Sequence, residues 1–259
     1  DYIAYGDIYM TANDRQDLIR KLIEEEGVVR IKQLAGRFNV SGETVRRDLI
    51  QLEKNGFCVR VRGGATRNSE FIHSSTLAYR VCQNERFKRE IGRKALKFIN
   101  EGDIIGIDSG STAAIFAEAV KETFSRLIVV TYSLGVFEKL KDKFKVILCG
   151  GVYDEKEAAF FGKVTVSAIQ ELHTQKFFLM PSAISLKSGI CEYHQDMILV
   201  QQAMYNNTDR VFCLADNSKF EKNALYKLSD ISGKVTLISD NSLSNEIKRL
   251  YLENNIRIY

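Results

Sequence analysis

The sequence predicts an α/β protein in two parts, a small helical unit closed by a hairpin and then a larger domain on a largely parallel sheet. Three observations predict it. Between Asp14 and Arg67, three short amphipathic runs precede a strand pair turned by Gly63-Gly64. Beyond Phe87 the rhythm changes to apolar strands separated by helical stretches, the pattern of a parallel sheet covered on both faces. Charge is also unevenly divided: from Val28 to Arg67 nine Lys/Arg face three acids, a net of +6 against +4 for the whole chain. A short basic block on an otherwise slightly acidic body suits a phosphate-rich partner.

Composition excludes several classes. With 45% hydrophobic residues among 259, there is enough apolar material to offset the entropy of folding, so a disordered chain is excluded. No apolar run approaches the ~18 residues of a membrane span, and no charged start with an apolar core resembles a signal peptide. Cys58, Cys82, Cys149, Cys191 and Cys213 are scattered and odd in number, which fits reduced thiols in a cytoplasmic protein. They form no Cys-x-x-Cys pair and no metal-ligand spacing with His73, His173 or His194, so neither a metal nor a cofactor is expected.

Taken in order, residues 1–13 carry no clear period, and Met10 is a candidate natural start. Leu18, Ile19, Leu22 and Ile23 form the apolar stripe of a first helix that Gly27 stops. Val29 and Ile31 suit a short extended stretch, and Lys32–Phe38 a second helix burying Leu34, Ala35 and Phe38. Asn39-Val40-Ser41-Gly42 is a turn that ends in a helix cap, a third helix runs to about Lys54, and Asn55-Gly56 ends it. Phe57–Val61 alternates as a strand. Three helices and a hairpin make a winged helix-turn-helix domain over residues 14–67, with 68–86 a partly helical linker and 87–259 the second domain. Its expected strands are Ile104–Asp108, Leu127–Thr131, Lys145–Cys149, Phe177–Met180, Arg210–Ala215, Val235–Ser239 and Ile256–Tyr259.

On a wheel of roughly 100° per residue, Val45, Leu49 and Leu52 of the third helix share a narrow buried sector. Glu43, Arg47 and Gln51 lie opposite, with Thr44 at the edge and Ser41 at the helix start. Held by its apolar stripe, such a helix can enter a major groove ~12 Å wide and present Thr, Arg and Gln to base edges. Arg46, pointing sideways, and Arg60 and Arg62 on the hairpin are better placed for phosphates. Asp48 would repel phosphate and is expected to pair with a neighbouring arginine of the protein itself. The run Asn39-Val40-Ser41-Gly42-Glu43-Thr44-Val45-Arg46-Arg47-Asp48-Leu49, followed by Arg60-Val61-Arg62-Gly63-Gly64-Ala65, closely resembles the DeoR family of bacterial transcriptional regulators.

In the second domain, Ile104–Thr112 reads as an apolar strand, a small-residue loop and the start of a helix. Gly110 allows close backbone approach, and Ser111 and Thr112 add hydroxyls beside the unsatisfied helix amides, a natural anion site. Asp108 at the strand end is expected to accept hydrogen bonds from sugar hydroxyls. Thr131-Tyr132-Ser133 and Gly150-Gly151 follow two further strands, and Asp216 with Lys219 follows a fourth, adding a cation for phosphate. Carboxyl ends of parallel strands share one edge, where ligands settle. No Gly-x-Gly-x-x-Gly follows a strand and no P-loop occurs, so a dinucleotide site or a P-loop nucleotide site is not expected.

Lys88–Ile91, Asp108–Thr112, Thr131–Ser133, Gly150-Gly151 and Asp216–Phe220 resemble the effector domain of the same family. The resemblance implies an effector domain similar to ribose-5-phosphate isomerase in fold, with a phosphorylated sugar or polyol as ligand. Where the family commonly has Gly-Thr-Thr and Thr-Asn-Ser, this chain has Gly110-Ser111-Thr112 and Thr131-Tyr132-Ser133, and the bulkier Tyr132 predicts a pocket of different shape. Met180–Ala183 departs from the small glycine-containing sequences usual there. An isomerase with an accessory DNA-binding domain is the rival reading, but the Asp-Gly-Ala-Asp-Glu segment of those enzymes is missing, and Glu192, His194 and Asp196 are expected to be exposed. No catalytic residue is assigned. The expected partners are a double-stranded DNA operator, a phosphorylated sugar and further copies of the chain, since reading two half-sites needs two subunits.

Overall fold

The computed structural model describes residues 11–54, 57–67, 77–82 and 84–259. Met10, the Asn55-Gly56 helix stop and residues 68–76 of the expected linker lie outside the described residues. The chain separates into two units, Asp1–Ser75 and Thr76–Tyr259.

The first unit contains α1 (Ala12–Glu26), β1 (Val28–Arg30), α2 (Ile31–Phe38), α3 (Gly42–Lys54), β2 (Cys58–Val61) and β3 (Gly64–Arg67). Helix α1 begins two residues before the expected Asp14 because Thr11 caps it: the Asp14 amide donates to Thr11 Oγ1 at 3.2 Å, and the Thr11 amide returns to Asp14 Oδ2 at 3.2 Å. Asn39 ends α2 in the left-handed conformation, and Ser41 caps α3, accepting from the Thr44 amide at 3.0 Å. The three strands pair antiparallel in the order β1-β3-β2, so the wing is a three-stranded sheet. Ile19, Ile23, Leu34, Val45, Leu49 and Leu52 form one core, each contributing about 1.5–3 kcal/mol by burial. Leu18, expected in that stripe, is exposed.

The unit is also locked by charge. Arg15 on α1 donates to Asp48 on α3 through Nε at 2.6 Å and a terminal nitrogen at 3.2 Å, and Gln16 adds a bond of 3.1 Å. Both charged partners are buried. The partner of Asp48 is thus not the neighbouring arginine expected but one on another helix, 33 residues away, that packing of α1 on α3 brings to it.

The second unit opens with α4 (Leu77–Cys82), which lies inside the expected linker yet packs on this unit. The Leu77 amide donates to the Lys156 carbonyl at 2.8 Å, and Arg80 forms a two-pronged ion pair with Glu157. Then follow α5 (Glu85–Leu96), β4 (Ile104–Ile107), α6 (Ser111–Thr123), β5 (Ile128–Thr131), α7 (Leu134–Leu140), β6 (Lys145–Leu148), β7 (Val152–Asp154), β8 (Ala159–Phe161), α8 (Lys163–Gln170), β9 (Thr174–Leu179), β10 (Ala183–Ser185), β11 (Gly189–Glu192), α9 (Gln195–Asn206), β12 (Thr208–Leu214), a 3-10 turn (Asn217–Lys219), β13 (Tyr226–Ser229), β14 (Val235–Ile238) and α10 (Asn245–Glu253).

A six-stranded sheet in the order β14-β12-β9-β4-β5-β6, parallel throughout, forms the middle layer. Alternate residues serve opposite faces. Ile105, Ile107, Val129, Phe178 and Phe212 join Ile91, Phe116 and Leu140 of α5, α6 and α7. Phe177, Leu179, Val211, Cys213 and Leu237 join Ile169, Met204 and Tyr251 of α8, α9 and α10. Six of the seven expected strands are present. Residues 256–259 make only a bridge, Ile258 to Leu237, because α10 runs to Glu253 and Asn255 turns the chain at φ +60°, leaving little length beside β14. The β7–β8 hairpin and the antiparallel sheet β10-β11-β13 were not expected. No helix among the described residues is long and apolar enough to cross a membrane.

Removing the Asp48 carboxylate leaves the Arg15 guanidinium buried without its counter-charge. Asp48→Ala should cost the first unit about 3–5 kcal/mol. Hydrogen exchange at core amides of α1 and α3 checks this, and protection unchanged from wild type would show that the pair does not hold the helices together.

Candidate functional site

Helix α3 exposes Glu43, Arg46, Arg47 and Gln51 on the side away from Val45, Leu49 and Leu52, as its periodicity requires. The cations in and around it fall into two kinds. Arg46 donates to Glu43 at 3.1 Å, one turn away, and Arg60 is held by Glu53 through its Nε at 2.6 Å and its amide at 2.9 Å. Those two residues, expected at phosphates, must exchange an internal partner to reach one. Arg47 and Arg62 are exposed and have no ion pair among the described residues. Ser41 and Thr44 share a hydroxyl contact of 2.9 Å within the helix cap, so the Ser41 side chain is committed to starting the helix.

In the second unit, the sheet changes winding direction between β4 and β9. From β4 the chain goes outward to β5 and β6, while β9, β12 and β14 lie on the other side. The next helices after β4 and β9, α6 and α9, cover opposite faces, and in open parallel sheets such a switch point is where ligands commonly bind. Gly110 begins α6 with φ +100°, a conformation that favours glycine, and a Cβ there would meet nothing within 4 Å. No side chain caps the helix. Ser111 and Thr112 are its first two residues, half-buried, and the first-turn amides beside them remain available to an anion. Lys219 ends the turn after β12, two strands from β4, about 10 Å at normal strand spacing. It is half-buried and has no ion pair among the described residues.

Asp108 departs from its expected role. It is fully buried, and both carboxylate oxygens are occupied: Oδ1 accepts from the Ser109 amide at 2.8 Å and from the Tyr132 hydroxyl, and Oδ2 accepts from the Met180 amide at 2.8 Å and Gln201 Nε2 at 3.0 Å. Rather than lining a pocket, Asp108 ties the ends of β4, β5 and β9 to α9. Tyr132, expected to shape the pocket, is equally buried and packs against Phe161. Thr131 and Ser133 are buried too: Thr131 Oγ1 accepts from the Ser133 amide at 3.1 Å, and Ser133 Oγ caps α7 through the Val136 amide at 3.3 Å. Asp216 caps the 3-10 turn, accepting from the Ser218 amide at 2.9 Å and from its hydroxyl.

Gly150 is open, but Gly151 is tight against the protein: a Cβ would fall 2.1 Å from Thr165 Oγ1 and 2.6 Å from the Phe161 carbonyl, so its close approach is to α8. Glu192, expected to be exposed, is buried and accepts from Ser182 Oγ at 2.8 Å and from the Tyr193 amide at 2.7 Å, whereas His194 and Asp196 are exposed as expected. Gln201 and Ser182 carry no motif. Only a polar residue on the sheet-facing stripe of α9 signals Gln201. Among the described residues no group of His, Cys, Asp and Glu could hold a metal ion.

Two family models match the chain, the DeoR-like helix-turn-helix domain over residues 15–71 and the DeoR C terminal sensor domain over residues 83–241. The L-fucose operon activator of Haemophilus influenzae is 33% identical over 92% of this chain and 95% of its own length. A lactose phosphotransferase system repressor of Staphylococcus aureus is 29% identical over 89% of this chain and 93% of that protein. The glycerol-3-phosphate regulon repressor of Escherichia coli is 29% identical, covering 86% and 88%. Ribose 5-phosphate isomerase A from Neisseria gonorrhoeae shares 19% identity at a TM-score of 0.41, over 52% of this chain and 53% of that one.

Burial raises the Asp108 carboxyl from 3.8 to about 7, against the pull of its donors from Tyr132, Met180 and Ser109. A carboxyl that holds its proton more tightly when folded contributes stability fully present below its unfolded pKa and lost as pH rises through the folded one. The melting temperature should therefore fall between about pH 4 and pH 7 by this contribution. Asp108→Asn should flatten that fall, leaving the slope of Glu192, which burial also raises. Parallel pH profiles for the two proteins would show that Asp108 is ionised throughout.

Proposed function

The chain belongs to the DeoR family of transcriptional regulators, and from that premise we propose that it is a cytoplasmic repressor of a sugar or polyol catabolic operon whose operator affinity is set by a phosphorylated sugar. The names of its relatives, regulators of fucose, lactose and glycerol-3-phosphate genes, support a sugar-linked effector. The observation that carries the reading is the contrast among cations. Arg46 and Arg60 are neutralised internally, while Arg47 on the recognition helix and Lys219 at the carboxyl edge of the sheet have no acidic partner among the described residues.

On this reading Arg47 and Gln51 meet base edges, with Thr44 beside them, and Arg62 meets phosphate. The effector's phosphate takes the α6 amides, the Ser111 and Thr112 hydroxyls and Lys219, with Gly110 and Gly150 leaving room for the sugar. Asp108, Tyr132, Thr131, Ser133, Gly151 and Asp216 shape the site from beneath. On this reading the protein turns nothing over: the buried carboxylates at this edge, Asp108, Glu192, Asp216 and Asp240, are each engaged by donors from the protein itself. Operator reading uses at least two subunits, and the effector shifts the population of subunit arrangements that match half-site spacing.

A thermal-shift screen of sugar phosphates, followed by operator release with each hit, tests the proposal. Stabilisation by none of them, or turnover of one, would defeat it. Arg47→Ala should lose about 1–3 kcal/mol on the operator and relax base preference, whereas Arg62→Ala should weaken operator and random duplex alike. Filter binding on both duplexes distinguishes them, and equal losses for Arg47→Ala would remove its base-reading role. Lys219→Ala should abolish the effector response and leave the affinity of the free protein for DNA intact, as measured by anisotropy titration with and without the screened sugar phosphate.

A further inference from the structure

Lys219 sits at the end of a three-residue 3-10 turn, and so short a turn does not fix a lysine by its own hydrogen bonds. What holds it comes from a strand not implicated so far. Asp240, two residues beyond the end of β14, is fully buried. Its Oδ2 accepts from the Asn217 amide at 2.7 Å, and its Oδ1 accepts from Asn217 Nδ2 at 3.1 Å and from the Ser242 amide at 2.9 Å. It has no ion-pair partner among the described residues, so these amides alone balance its buried charge.

With one oxygen for each, the carboxylate takes the backbone and the side-chain nitrogen of one residue at once. Asp240 thereby fixes both the backbone and the side chain of Asn217, the first residue of the turn. Asp216 fixes the middle residue through Ser218, and the Lys219 amide closes on the Asp216 carbonyl at 3.0 Å. The Asp240 loop is itself pinned from α5: Lys94 Nζ donates to the Ser239 carbonyl at 2.7 Å and to Asn241 Oδ1 at 3.0 Å, and Glu90 accepts from the Asn241 amide at 2.9 Å.

We propose that Asp240 is a positioning residue for the effector's phosphate: it touches no ligand, and it presents Lys219 by clamping Asn217. The proposal rests on the reading of Lys219 as the phosphate-binding cation. Replacing the carboxylate by an amide puts a donor against one of the Asn217 nitrogens, so the turn loses its clamp while the side-chain volume is kept.

The test is calorimetric titration of the full chain with inorganic phosphate, for wild type, Lys219→Ala, Asp240→Asn and the double variant, below the melting temperature of each. Asp240→Asn should bind about tenfold more weakly, and the double variant should bind no more weakly than Lys219→Ala alone. Asn217→Ala keeps the backbone bond and removes the side-chain one; it should show a smaller loss with the same non-additivity, and it serves if Asp240→Asn does not fold. Wild-type affinity in Asp240→Asn or Asn217→Ala beside a weakened Lys219→Ala would overturn the positioning role and leave the Lys219 reading standing. Additive losses would mean a general structural effect and equally overturn it. A Lys219→Ala protein that titrates like wild type would remove the phosphate reading and, with it, anything for Asp240 to position.

Discussion

A buried carboxylate needs donors for both of its oxygens, and Asp108 draws them from four places in the second unit: its own loop, β5, β9 and α9. That requirement fixes how the strand ends line up at the edge where α6 begins. Burial alone would make the charged form expensive, and the balance of desolvation against four donors leaves the group near neutrality in its titration. The edge is thus built on an internal polar hub, with the accessible functions of Gly110, Ser111, Thr112 and Lys219 carried on the elements it organises. A hub of this kind is costly to leave half-satisfied, so separating the segments it joins is unfavourable.

The first unit solves a related problem with an ion pair. Asp48 lies on the helix whose outward face is proposed to meet DNA, where a free carboxylate would repel phosphate. Arg15 removes that repulsion and joins α1 to α3 in the same contact. Glu43 and Glu53 act similarly on the surface by engaging Arg46 and Arg60. Exposed pairs of this type contribute little to stability and can exchange for a phosphate at small expense.

Coupling between an effector and an operator requires a difference in interaction free energy between two arrangements, typically about 1–3 kcal/mol. If Lys219 holds the effector's phosphate as proposed, its turn already has a connection to the rest of the unit. The turn that carries the lysine is tied through Asp240 and Asn241 to Glu90 and Lys94 on α5, near the start of the second unit. Order imposed on that turn is shared with α5 through bonds already formed.

Much of this was legible in the chain itself. Period-3.6 stripes place Val45, Leu49 and Leu52 in the core and Arg47 outside, and apolar runs bounded by polar loops mark six parallel strands, because local periodicity alone decides these. Gly110 before Ser111 announces an open helix start for the same local reason. Tertiary structure alone decided the rest. Strands β10 (Ala183–Ser185) and β13 (Tyr226–Ser229) lack the continuous apolar run that marks the parallel strands, and the helix α4 inside the expected linker is defined by its contacts with Lys156 and Glu157. The burial of Asp108, Tyr132 and Glu192, and the choice of Arg15 for Asp48, depend on residues 10 to 93 positions away. A carboxylate at a strand end has the same sequence signature whether it faces a ligand or the protein; which donors surround it is settled only when distant segments pack.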